Sequence, residues 1–252
     1  MIKMKISLVI LIFVGFTTTS LQIQSNKDRC LENNPKYDIP KDQPASTPGI
    51  VYFSSDNGLS WQNESQGLPQ NIFLTDIAVS NQHIAISTKQ QGIFLFDFKT
   101  DRWNPTVANP QSIADIDALF FFQGKLLAGS QGDGVFFSFN NGKNWQPVNE
   151  GLKNLTIRKL VEINNQLYAG TNGGLFVFNE LKKQWVPAFV DPTLQVNGII
   201  EFEGEIYLGT NKGAYRKPNG QDEWQQLMPG LSLHNISSAR NRLYALAYNE
   251  LF

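Results

Sequence analysis

The sequence predicts an all-β chain folded as a β-propeller, a ring of four-stranded antiparallel blades. Three observations carry this expectation. With 20 glycines, 12 prolines, and 12% aromatic against 17% charged residues, the composition favours short strands joined by turns. The five tryptophans, Trp61, Trp103, Trp145, Trp185 and Trp224, recur about every forty residues, and no tryptophan lies outside the series. In the same phase, an apolar stretch ending in a small residue and Ser or Thr recurs as "IAIST", "LLAGS", "LYAGT", "IYLGT" and the degenerate "LYALA".

The N-terminus comes first. Lys3 and Lys5 precede an apolar run from Ile6 to Phe16, and small residues follow to Ser20. This is the order of a secretory signal peptide over residues 1–20, and the run is short for a membrane span. Residues 21–47 are poor in apolar groups and rich in proline, so they read as a disordered linker. Cys30, the sole cysteine, falls in this linker, so no disulfide forms within the chain and the domain must hold by packing. The expected compartment is outside the cytoplasm, secreted or periplasmic. The 21 basic residues nearly balance 22 acidic ones, which removes an electrostatic case for nucleic acid or an anionic membrane.

The repeat domain spans residues 48–252. Each period spells an apolar strand, a polar turn, the "AGT"-type strand, a glycine-bearing turn, an aromatic strand and the tryptophan strand. One such meander cannot bury both of its faces, so consecutive units must pack face to face, which is the pattern of propeller blades. The first unit supplies only the two outer strands, "PGIVYFSSDNGLSW", and the last only the two inner ones, "LSLHNISSARNRLYALA". Five blades closed by pairing N- and C-terminal strands follow, which would remove two exposed edges. Alternatively, "NELF" (249–252) aligns with the start of a third strand, as in the front part of a larger, for example seven-bladed, ring.

"SSDNGLSW" carries a resemblance. Ser54, Asp56, Gly58 and Trp61 occupy the fixed positions of the Asp-box, or bacterial neuraminidase (BNR) repeat, and "SFNNGKNW" repeats it with Asn140, Gly142 and Trp145. With its "GT" strands the repeat is similar to the propellers of sialidases, of sortilin-type receptors and of Ycf48-like photosystem assembly factors. That resemblance implies a fold rather than a reaction. It places the hairpin at the outer rim, with Asp56 holding a turn and glycine supplying positive φ, and the tryptophan packed against the adjacent blade.

Candidate binding residues follow from the blade alignment. Thr75, Asp117, Arg158, Asn197 and His234 take one position early in the innermost strands, each after an apolar residue, and should line the central channel or its mouth. The neighbouring position holds Asp76, Ala118, Lys159, Gly198 and Asn235. Asp76 and Asp117 are the one carboxylate pair these rings offer a glycoside hydrolase. The arginine cluster and Arg-Ile-Pro motif of sialidases are absent from the sequence, as are a phosphate-cradling glycine loop and a nucleophile elbow. The expected function is a secreted, noncatalytic platform for protein interaction or assembly, monomeric and without metal or cofactor. The alternatives are a carbohydrate-binding propeller or a sialidase-like glycoside hydrolase working at the channel mouth.

Overall fold

A computed structural model of the protein describes residues 49–106 and 115–248. The signal peptide, Cys30, the whole linker and "NELF" lie outside the described residues. The chain divides into two compact units, one ending at Gln66 and the other beginning at Gly67.

In the first unit, β1 (Tyr52–Phe53) pairs antiparallel with β2 (Gln62–Asn63) in a two-stranded sheet. The connecting residues include the motif Ser54–Trp61. The Ser54 hydroxyl donates to Asp56 Oδ1 (2.8 Å), and the Ser60 N–H and hydroxyl donate to the two Asp56 oxygens (2.9 and 2.6 Å). The Gly58 N–H donates to Ser54 Oγ (2.8 Å), with Asn57 and Gly58 at φ 61° and 87°. Three short side chains thus take over the donors and acceptors that a tight turn leaves unpaired.

The second unit begins with four-stranded meanders, each in simple sequential order. The first runs β3 (Leu74–Val79), β4 (Ile84–Thr88), β5 (Gly92–Asp97), β6 (Arg102–Pro105). The second runs β7 (Ile116–Phe122), β8 (Lys125–Ser130), β9 (Val135–Ser138), β10 (Gln146–Pro147). The third runs β11 (Ile157–Ile163), β12 (Gln166–Thr171), β13 (Gly174–Asn179), β14 (Gln184–Val190). The fourth runs β15 (Val196–Phe202), β16 (Glu205–Thr210), β17 (Gly213–Lys217), β18 (Gln225–Leu227), and a fifth sheet holds only β19 (Leu233–Ala239) and β20 (Arg242–Ala247). No helix occurs among the described residues.

The inner strands pack in the order β3, β7, β11, β15, β19. Between them lie the cores. Ala128 and Leu126 pack with Ala85 and Ile93 of the preceding sheet, and Leu167, Phe176 and Phe178 pack with Leu127, Val135 and Phe137. Side-chain alternation explains this, because successive residues of one strand serve the two opposite interfaces. The small residue of the "AGT" strand has a packing reason: a Cβ on Gly129 would lie 2.5 Å from Ile157 Cγ2 of the next sheet. The hydroxyl that follows it ties the turn. Thr88, Thr171 and Thr210 are buried and donate to the carbonyls of Gly92, Gly174 and Gly213 at 2.8, 2.9 and 2.7 Å. In return they accept N–H groups from Gln91, Gly173 and Lys212.

The tryptophans divide. Trp103 and Trp185 lie within outer strands, whereas Trp61, Trp145 and Trp224 each stand one residue before theirs. Trp185 is fully buried against the preceding sheet, where its Nε1 donates to the Val148 carbonyl (2.7 Å), and Trp224 repeats the contact to the Ala188 carbonyl (3.3 Å). Trp145 packs on the interface of the first two meanders. Trp61 departs from the expected burial: it is 36% exposed, and its Nε1 donates locally to the Gly58 carbonyl.

The expected blade shared between the two ends is not met as strand pairing among the described residues. β1 pairs only with β2 and β20 only with β19. β20 therefore lacks the third strand that covers β4, β8, β12 and β16, and its Tyr244 and Leu246 are exposed.

The interface role of Trp185 is directly measurable. Trp185→Ala should cost about 3–5 kcal/mol by chemical denaturation, because it leaves a large cavity and an unpaired carbonyl between two sheets. A loss below 1 kcal/mol would show that the sheets do not depend on it.

Candidate functional site

Each innermost strand has the same irregularity. Pairing steps from Leu74↔Thr88 to Asp76↔Ser87, from Ile116↔Ser130 to Ala118↔Gly129, and from Ile157↔Thr171 to Lys159↔Gly170. Val196 to Gly198 and Leu233 to Asn235 do the same. The residues skipped are Thr75, Asp117, Arg158, Asn197 and His234. Each is the extra residue of a β-bulge, which bends the strand and re-aims a side chain.

The bulges gather these five residues, with Tyr248, around a single cavity of about 240 Å³. Several also join neighbouring strands. Thr75 donates to the Ile116 carbonyl (2.5 Å) and Asn197 to the Leu233 carbonyl (2.8 Å), in each case the residue before the next bulge. Arg158 lies 3.7 Å from Asp117. His234 Nδ1 meets the Tyr248 hydroxyl at 3.0 Å, with the two rings edge to face at 5.1 Å.

The neighbouring ring goes elsewhere. Asp76 and Lys159 do not line the cavity. Asp76 Oδ2 accepts the Leu119 N–H (2.8 Å), clasping the next inner strand. Burial pushes its carboxyl up and Lys159 draws it back. Ala118 is fully buried, and Gly198 lies where a Cβ would come within 2.7 Å of the Ile236 amide nitrogen. The structure therefore does not bring Asp76 and Asp117 together across a substrate-sized opening. Both Asp117 oxygens are engaged by Gln131 Nε2 (3.0 and 2.9 Å).

A second polar position was missed in the sequence. The residue directly after the "AGT"-type strand is Gln131, Asn172 or Tyr248 in three repeats, and each is bonded to the bulge residue of its own repeat. The signal was present as a polar or aromatic residue directly after the "AGT"-type strand, at the start of the turn that follows it. His83 lies in the turn between β3 and β4, where its Nε2 lies 3.0 Å from Asn141 Nδ2 and its ring stacks on Phe121. Among the described residues no cluster of three or more His, Cys, Asp or Glu is placed to hold a metal ion.

The second such hairpin repeats three of the four bonds that hold the first and lacks the Ser60 hydroxyl bond. Ser138 Oγ bonds Asn140 Oδ1 (3.1 Å), the Gly142 N–H donates to Ser138 Oγ (2.8 Å), and the Asn144 N–H donates to Asn140 Oδ1 (2.9 Å). An amide oxygen thus does the work of the Asp56 carboxylate.

No protein-family model matches the chain, and no curated protein matches it in sequence. Solved structures do match in fold. The extracellular domain of a protein assigned as a hybrid two-component system of B. thetaiotaomicron is similar at 17% identity and TM-score 0.64, over 77% of this chain. This chain spans 27% of that one. YCF48 bound to D1 peptide is similar at 12% identity and TM-score 0.60, covering 78% of this chain and 68% of that one. A chain of the mitotic checkpoint complex is similar at 12% identity and TM-score 0.59, covering 74% and 60% respectively. At these identities the likeness is one of fold, and with the sequential four-stranded sheets it supports a β-propeller.

Asp56 yields a pH test. Hydrogen bonds from Ser60 and Ser54 hold its carboxyl at about 2, below the ordinary 3.8. Its contribution is therefore fully present above pH 4 and is lost as pH falls through about 2. Asp56→Ala should lower the melting temperature at pH 7, whereas Asp56→Asn should retain it and flatten the acid limb of the stability profile. Equal melting temperatures for all three proteins would refute a turn-holding role.

Proposed function

We propose that the protein is an extracytoplasmic, noncatalytic β-propeller that presents its cavity-bearing end to a protein partner. One observation carries this: five consecutive repeats deliver their bulge residue to a single polar cavity. Around the starts of the same strands stand exposed apolar residues, Phe73 before β3, Leu155 before β11 and Leu231 before β19. A polar centre flanked by exposed apolar groups is the surface chemistry of a protein-binding face.

The noncatalytic reading rests on where the carboxylates are spent. Asp117 is taken up by Gln131 and Arg158, and Asp76 by a backbone N–H. A glycan-binding or glycoside-hydrolase reading has less support, since the turns beside the cavity differ from repeat to repeat: Lys89, Gln131, Asn172, Asn211 and Tyr248 occupy one position. The signal peptide over residues 1–20 and the linker over 21–47 belong to this proposal, as does a monomeric ring of five blades. The extracellular setting of one structural neighbour and the bound peptide of another are in keeping with it.

Photo-crosslinking in the source cell tests the reading. A benzophenone side chain at Phe73, Leu155 or Leu231 should give one discrete adduct, and the same group at the exposed hairpin residue Leu181 should give none. Adducts from Leu181 alone, or turnover of any sialoside or arylglycoside by the unmodified protein, would refute it.

A further inference from the structure

The cavity holds hydrogen-bond donors that the described residues leave unused. Arg158 is fixed by one bond, Nε to Asn172 Oδ1 at 2.8 Å. Its NH1 is 3.7 Å from Asp117, beyond hydrogen-bond reach, and Gln131 bonds both Asp117 oxygens. The terminal guanidinium nitrogens therefore have charge compensation but no hydrogen-bonded acceptor among the described residues. His234 is held at Nδ1 by Tyr248. In the tautomer in which the Tyr248 hydroxyl donates to Nδ1, the ring proton stands on Nε2, a second donor without a partner among the described residues. Between these two repeats, Asn197 spends its amide N–H on the Leu233 carbonyl and keeps its Oδ1 as an acceptor.

Two fixed donors flanking one free acceptor define a ligand group. We infer that the cavity takes a carboxylate of the polypeptide partner, received by the terminal guanidinium nitrogens of Arg158 and by His234 Nε2, with the adjacent peptide N–H given to Asn197 Oδ1. Planar guanidinium is suited to this, since its paired N–H groups match two carboxylate oxygens. At about 240 Å³ the cavity is smaller than sites that enclose a drug-sized ligand, so it admits one group, an acidic side chain or a chain end. Thr75 adds no competing anion, since its hydroxyl bonds the Ile116 carbonyl and Ser87 Oγ. Asp117 is the one acid on the lining, and it is already paired.

The inference rests on the platform reading and names the chemistry its centre recognises. The test is an NMR titration of the full isotope-labelled protein with two carboxylates and their neutral counterparts. N-acetylglycine stands for a chain end and N-acetylglutamate N-methylamide for an acidic side chain; N-acetylglycinamide and N-acetylglutamine N-methylamide are the controls. The carboxylates should shift the side-chain signals of Arg158 and His234, the amides should not, and the stronger of the two acids identifies the source. Arg158→Gln should weaken binding about tenfold or more, the loss expected for a charge-assisted hydrogen bond. Because Arg158 also faces Asp117, His234→Gln, at an exposed position, provides an independent variant expected to weaken binding at an unchanged melting temperature.

Equal shifts from acids and amides, shifts confined to other residues, or unchanged affinity in both variants would overturn the inference. Crosslinked adducts at Phe73, Leu155 or Leu231 without carboxylate binding would remove this inference and leave the platform standing. Carboxylate binding with adducts only at Leu181 would remove the platform.

Discussion

One inserted residue in each innermost strand governs both the packing and the site. An unbroken strand would continue its two-residue alternation from Leu74, Ile116, Ile157, Val196 and Leu233 without interruption. The bulge lets the apolar residue before it and the small or clasping residue after it stay in the interfaces, and sets a polar side chain free between them. Gathered at one end, those side chains face the cavity and each other. Thr75 and Asn197 bridge consecutive inner strands, and Asp117 faces Arg158 across another junction. The lining of the cavity is thus also the seam between sheets.

This double duty explains the choice of residues. A group that spends one donor on the next strand keeps its remaining polar atoms for the opening, so short side chains with two functions suit the position. Arg158 is the exception in length, and it needs Asn172 to hold it. The turn residue after the threonine is the natural supplier of such support, because the tied hydroxyl fixes the turn from which it projects. The same threonine therefore stabilises the hairpin and orients the group behind the cavity.

The sequence and the structure agree most closely where a repeat imposes a requirement on every unit. The tryptophan period, the "AGT" strands and the polar position at the inner-strand start each recur because every sheet must cover its neighbour. The "SSDNGLSW" hairpin is legible for a local reason: Ser54, Asp56 and Gly58 satisfy a turn within a few residues, and Ser138, Asn140 and Gly142 do so again. Where the repeat lapses, the reading falters. Asp76 occupies the same position in its strand as Ala118 and Gly198, yet sequence assigns it to the channel because it is charged. Only the backbone of Leu119, brought within 2.8 Å by sheet packing, shows that its carboxylate belongs to an interface.

What the sequence by itself determined is the periodic part: four strands per unit, the faces they bury, the hairpin that Asp56 ties and the polar character of the inner ring. These depend on alternation, turn chemistry and spacing along the chain. The tertiary structure decided which polar groups share one cavity, which are consumed in holding strands together and which keep an unused donor. Those outcomes depend on distances between residues 14 to 43 positions apart. A one-residue bulge, with no signature in composition, is what turns these side chains toward the cavity.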